Sequence, residues 1–126
     1  MTERPRRVLV VEDDTSIRDT LELALAMQGY EVATAPNGRE AVDLLPRWPP
    51  DLIVLDLMMP VMDGWKFRME QRRAGYDDVP VLVLTASRNA ADSKDALGAV
   101  ERLQKPFDLR HLLDTINRLA QPRSPR

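Results

Sequence analysis

The chain has 126 residues, enough for one compact domain with its own hydrophobic core. Its 44% hydrophobic and 30% charged residues speak against a disordered or membrane-embedded chain, and a net charge of −2 leaves no basic excess for nucleic acid or an anionic membrane. With no cysteine it can hold no disulfide, thiolate metal site or thiol nucleophile, and a reducing cytoplasm is the expected compartment.

In chain order, residues 1–6 read as a flexible charged arm. The apolar run that follows stops at Glu12, too short for a signal peptide or a membrane span. Residues 8–11 are a continuous apolar run rich in β-branched residues and predict a buried strand. Ile17, Leu21, Ala24 and Leu25 have the spacing of an amphipathic helix. A strand over 31–35 and a helix over 38–45 come next, then a second apolar run at 52–55 and a helix over 64–73. A third buried run occupies 81–84, and 90–97 reads as a short helix with little apolar periodicity. Residues 100–104 have poor strand propensity and belong at a sheet edge. Leu109, Leu112, Leu113, Ile116 and Leu119 mark the last helix, and the Pro- and Arg-containing residues 121–126 read as a flexible tail. The domain is expected to span 7–120 and to stand alone.

Five strand-helix alternations in this length predict an α/β fold: a flavodoxin-like, doubly wound sandwich with a parallel sheet in the order 2-1-3-4-5. In such sheets ligands bind beyond the carboxyl ends of the strands, at the switch point between strands 1 and 3. Glu12, Asp13 and Asp14 follow the first strand, Asp56 ends the third, Thr85 ends the fourth and Lys105 follows the last. Carboxylates converging from neighbouring strands call for a hard divalent cation, and Mg2+ suits one or two carboxylates plus phosphate oxygens. A carboxylate nucleophile, a metal, an ammonium and a hydroxyl together serve to stabilise a transferred phosphoryl group.

Each of these residues also has a plainer reading. Asp14 precedes the first helix and is expected to cap it. Thr85 alone would be a strand residue and Lys105 a solvated loop lysine, whereas a charge such as Asp56 at a buried strand end is uncommon unless paired. Their joint placement favours function. His111 lacks a metal-spaced partner and reads as a surface histidine, Trp48 as a loop cover over the sheet, and Arg68, Arg72 and Arg73 as a solvated helix face.

VLVVEDD at the start, DLMMPVMDG around Asp56, LTA at Thr85 and KPF at Lys105 resemble the response-regulator receiver family over residues 7–120. The resemblance implies that Asp56 accepts a phosphoryl group from a histidine kinase or a histidine phosphotransfer protein. It implies that Asp13, Asp56 and the Met58 backbone carbonyl hold Mg2+, with Glu12 acting largely through metal-bound water. Lys105 would pair with the phosphate, and Thr85 would move to bond it. That movement would alter the face made by helix 90–97, the last strand and the last helix, and so change a downstream protein partner. No direct contact with nucleic acid or membrane is implied.

Pro60 and Gly64 would shape the loop after Asp56, glycine through its conformational freedom, while the small Ala86 would leave the acceptor accessible. Met58 and Ser87 stand at positions resembling the family's tuners of hydrolysis. Neither is an acid or amide that could orient water, so a phosphorylated state that is not especially short-lived is expected. The chain departs from the pattern at Arg102, where the family has an aromatic residue, and at Val100–Glu101, which keeps only one acid of a usual pair. The segment between Thr85 and Lys105 is about two residues shorter than in common members. A phosphorylation-independent interaction module that retains the site is the competing reading. A turnover phosphatase is disfavoured, because the residue two after the acceptor is Met58 and not a general acid.

Overall fold

The computed structural model of the chain describes residues 5–86, 98–99 and 101–120. Five strands, β1 (Arg7–Val11), β2 (Glu31–Ala35), β3 (Leu52–Asp56), β4 (Val81–Thr85) and β5 (Glu101–Gln104), form one sheet in the order β2-β1-β3-β4-β5, with every pairing parallel. Helices α1 (Thr15–Met27), α2 (Gly38–Leu44), α3 (Gly64–Arg73) and α4 (Leu109–Leu119) connect and cover it. This is the expected flavodoxin-like α/β sandwich. The helix read over 90–97, Ser87 and Val100 lie outside the described residues.

Alternation along the strands divides the interior into two cores, because successive side chains leave opposite faces of a sheet. Leu9, Val11, Ile53, Leu55, Val81 and Val83 meet Ala41 and Phe67 of α2 and α3. Val8, Val10, Leu52, Val54, Leu82 and Leu84 meet Leu21, Leu25, Leu112 and Ile116 of α1 and α4. β3 and β4 are buried at every position, which is why they appear in the sequence as unbroken apolar runs.

Each helix starts at a side-chain cap that satisfies an otherwise orphaned backbone N–H. Asp14 accepts from Ile17, Asn37 from Glu40, Asp63 from Lys66 and Asp108 from Arg110, at 2.9–3.0 Å. Asp14 is therefore the cap it was expected to be. Trp48 packs on the first core with the Arg7 guanidinium 5.1 Å from its ring centroid, and His111 is exposed.

Two expectations need correction. Arg68 is not on a solvated face: it is 6% exposed, on the inner side of α3, and pairs with Asp77 at 3.3 Å. Arg72 meets the same carboxylate at 3.3 Å, so one exposed acid serves both guanidinium groups. The loop after β3 also works differently. Gly64 has no positive φ; it is needed because a Cβ there would lie 2.7 Å from Leu57 Cδ2 and 2.8 Å from Leu57 Cα. The left-handed conformation falls instead on Val61, at φ 69°, in a tight turn where Met62 N–H donates to Pro60 O at 2.7 Å. A β-branched residue pays for that conformation in steric strain, and the Val61 side chain is exposed and gains no burial in return. Val61→Gly is accordingly expected to raise stability by about 1 kcal/mol, the relief of strain outweighing glycine's greater freedom in the unfolded chain. A urea midpoint that falls in the variant would show that the turn carries no such strain.

Candidate functional site

The parallel register brings the polar residues to one edge. Val11 is opposite Leu55 in the β1–β3 pairing, so Glu12 and Asp56 each stand one step beyond that last pair. Glu12 N–H continues the ladder by donating to Ala35 O at 3.0 Å. Thr85 is the last residue of β4, opposite Gln104, and Lys105 N–H donates to Thr85 O at 2.8 Å, which brings the lysine to the same edge. The Lys105–Pro106 peptide is cis.

Glu12 and Thr85 are fully buried, Asp56 is 3% exposed and Asp13 is exposed. Lys105 Nζ lies 2.8 Å from Glu12 Oε1 and 3.4 Å from Asp56 Oδ2. The second oxygen of each acid is held by the backbone: Glu12 Oε2 accepts from Asp14 N–H at 3.1 Å and Asp56 Oδ1 from Met58 N–H at 3.2 Å. Met58 itself is exposed at the rim, as is Ala86. Arg102 is half-buried on β5 opposite Val83. A cavity of about 330 Å³ opens at the opposite edge, lined by Arg6, Asp51, Asp78 and Leu119, but it contains none of these residues.

Glu12, Asp13 and Asp56 can each present an oxygen within 4.8 Å of the others. Among the described residues three carboxylates gather near one ammonium, which leaves the cluster short of positive charge. Burial, followed by the hydrogen bond and the charge of Glu12, pushes the Asp56 carboxyl up to about 7, against the opposing pull of Lys105 and the Met58 N–H. Burial works against the Lys105 ammonium too, but Glu12 and Asp56 outweigh it and raise its pKa. An acidic, oxygen-only cluster with unbalanced negative charge fits a hard divalent ion of the Mg2+ type.

The raised Asp56 pKa has a defined sign in stability. Between the unfolded carboxylate value of 3.8 and about 7, the folded protein holds a proton that the unfolded chain has released, so stability falls as pH rises through that window. Metal-free Asp56→Asn lacks this fall. Above pH 7 it is expected to exceed wild type by on the order of 3 kcal/mol, with the difference vanishing near pH 4. Urea denaturation at several pH values with a chelator present checks this, and a pH-independent difference would contradict it.

One residue here matches no motif in the sequence. Arg18, half-buried on the first turns of α1, donates from Nη1 to Glu12 O at 2.9 Å and Asp13 O at 3.4 Å. Nothing in its spacing distinguishes it from a surface helix arginine.

The fold is thus a doubly wound parallel α/β domain with a buried acid pair at the carboxyl ends of β1 and β3, where such sheets bind ligands, and a lysine reaching it from the end of β5. The family model described as response regulator receiver domain matches residues 8–117. Response regulator MprA of Mycolicibacterium vanbaalenii is 42% identical over 123 residues, 96% of this chain and 53% of its own length. Chemotaxis protein CheY4 of Vibrio cholerae superposes with a TM-score of 0.83 at 36% identity, covering 91% of this chain and 98% of that one. TrrA of Thermotoga maritima, solved in complex with Mg2+ and BeF, gives a TM-score of 0.79 at 32% identity, covering 90% and 98%. The chain belongs to the response regulator receiver domains of two-component signalling. It spans about half the length of the curated relatives it matches, and among its described residues no helix is long and apolar enough to cross a membrane.

Proposed function

We propose that residues 7–120 act as a phosphorylation switch in which Asp56 accepts a phosphoryl group from a histidine kinase or a histidine phosphotransfer protein. The observation that carries this reading is the buried Asp56 carboxylate at a strand end, 3.4 Å from Lys105 and beside a second buried acid. An Asp56 oxygen attacks the phosphorus and the P–N bond of the donor breaks, its electron pair returning to the imidazole nitrogen. Lys105 stands where it can meet the negative charge of the transferred group, and the Met58 N–H keeps the acceptor oriented. Asp13, Asp56 and the Met58 carbonyl would hold Mg2+, with Glu12 beside them; when bound, the ion offsets the carboxylate repulsion and draws charge from the phosphoryl oxygens.

Thr85 closes on the phosphoryl group and passes the change to the face that includes β5 and α4, where a downstream protein is engaged. The protein is a cytoplasmic signalling module and not a turnover enzyme. Its half-buried Arg102 stands where the family has an aromatic residue, so the output face differs from the common one.

Intact mass after incubation with acetyl phosphate tests the reading. One adduct of about 80 Da that requires Mg2+ and is lost in Asp56→Ala is expected. A folded wild type that takes up no phosphate, from acetyl phosphate or from a cognate kinase, would favour a phosphorylation-independent interaction module.

A further inference from the structure

We infer that Arg18 is a positioning residue for the phosphoacceptor: it orients the Glu12 carboxylate, and through it Lys105, by way of the peptide between Asp13 and Asp14. A trans peptide is planar, and its C=O and N–H point in opposite directions. The Asp13 carbonyl accepts from Arg18 Nη1 at 3.4 Å, and the N–H of the same peptide, that of Asp14, donates to Glu12 Oε2 at 3.1 Å. The other Glu12 oxygen lies 2.8 Å from Lys105 Nζ, which stands 3.4 Å from Asp56 Oδ2. The contacts thus run unbroken from α1 to the acceptor.

Arg18 also takes the Glu12 carbonyl at 2.9 Å, fixing the preceding peptide as well. Among the described residues it makes no ion pair, although the exposed acids Asp14, Asp19 and Glu22 are close in sequence. A guanidinium placed only for surface charge would pair with one of these acids; this one grips two neutral carbonyls. A cation on a carbonyl polarises the peptide and strengthens its N–H as a donor, which suits an N–H that must hold a buried carboxylate. Glu12 in turn keeps Lys105 from swinging out to solvent, so the ammonium is in place before a phosphoryl group arrives.

For its effect on transfer the inference rests on Asp56 being the acceptor, but the relay itself can be read in the metal-free protein. Arg18→Met keeps the aliphatic stem and removes the donors. The Asp14 amide proton is expected to move upfield in this variant as its bond to Glu12 weakens, with the thermal midpoint changed by no more than about 2 °C. The rate of labelling by acetyl phosphate with Mg2+ is expected to fall about tenfold, the usual cost of losing an outer support of a site. In a Glu12→Gln background, Arg18→Met should cost nothing further, because the residue it acts through has already been changed. An unmoved Asp14 amide, or a rate loss that persists in full in the Glu12→Gln background, would overturn the inference. If wild type takes no phosphate at all, it is the acceptor reading that falls, and the Asp14 amide alone decides the relay.

Discussion

Lys105→Met is expected to slow labelling of Asp56 by a factor of about 10²–10³, the range seen when one preorganised donor to a developing anion is removed. Among the described residues Lys105 is the one ammonium in contact with Glu12 and Asp56, at 2.8 and 3.4 Å, and its side chain is 19% exposed, so solvent replaces it poorly. Stability should respond with a pH signature. Lys105 holds the Asp56 carboxyl down, and removing it moves that already raised group further up. The folded variant therefore keeps its extra proton to higher pH than wild type, and its stability goes on falling with pH above 7. At pH 8 the metal-free variant should be less stable than wild type by on the order of 2 kcal/mol, and near pH 5, where Asp56 is protonated in both, by much less. The raised Lys105 pKa adds no slope of its own in that range, since its contribution is lost only as pH climbs through the lysine range. Urea melts at the two pH values check the pattern. A loss of equal size at both would mean that Lys105 acts by packing and not by charge.

Gly64→Ala is the second large effect. The added methyl would lie 2.7 Å from Leu57 Cδ2, 2.8 Å from Leu57 Cα and 3.1 Å from Asp56 O, and two of those atoms are backbone. Neither can be relieved by turning a side chain, because Leu57 is fully buried and Gly64 N–H donates to Leu57 O at 3.0 Å. A loss of about 3 kcal/mol is expected, at the upper end for overpacking, together with displacement of the acceptor next to Leu57. Since the clash falls on the residue after Asp56, labelling by acetyl phosphate should drop even where the variant remains folded. A variant as stable as wild type would show that α3 can draw away from β3 at little cost.

Most of the sheet was legible in the sequence because burial on both faces leaves long apolar runs. Val8–Val11, Leu52–Leu55 and Val81–Leu84 could hardly be anything but central strands, and the acids that end the first two, with Thr85 ending the third, announced the edge where a site would form. Residues 100–104, expected at the sheet edge because of their poor strand propensity, supply β5, which lies there over Glu101–Gln104. What stayed hidden depends on distances between elements that are not neighbours. The Lys105–Glu12 contact reaches from the end of β5 past β4 and β3 to the end of β1, and no linear spacing encodes it. Arg68 has the composition of a surface residue, and its pairing with Asp77, which lies beyond the end of α3, is a contact that helical spacing does not announce. Gly64 was recognised as necessary, but for its freedom; the need is for space, and the strained dihedral sits three residues earlier, on Val61.

The uneven support of the five strands gives the site a gradient of opening. β1 and β3 lie between neighbours on both sides, and β3 and β4 are buried throughout, whereas β5 has four residues, one partner and a partly solvated surface. Amides of Val10 and Val54 should exchange with deuterium only when the whole molecule unfolds, while those of β5 exchange through smaller local openings. Glu12 and Asp56 thus stand at the ends of interior strands, whereas Lys105 follows an edge strand. A brief detachment of that edge would carry the ammonium away and leave the acid pair standing, giving molecules that differ in the charge around Asp56 while sharing one core.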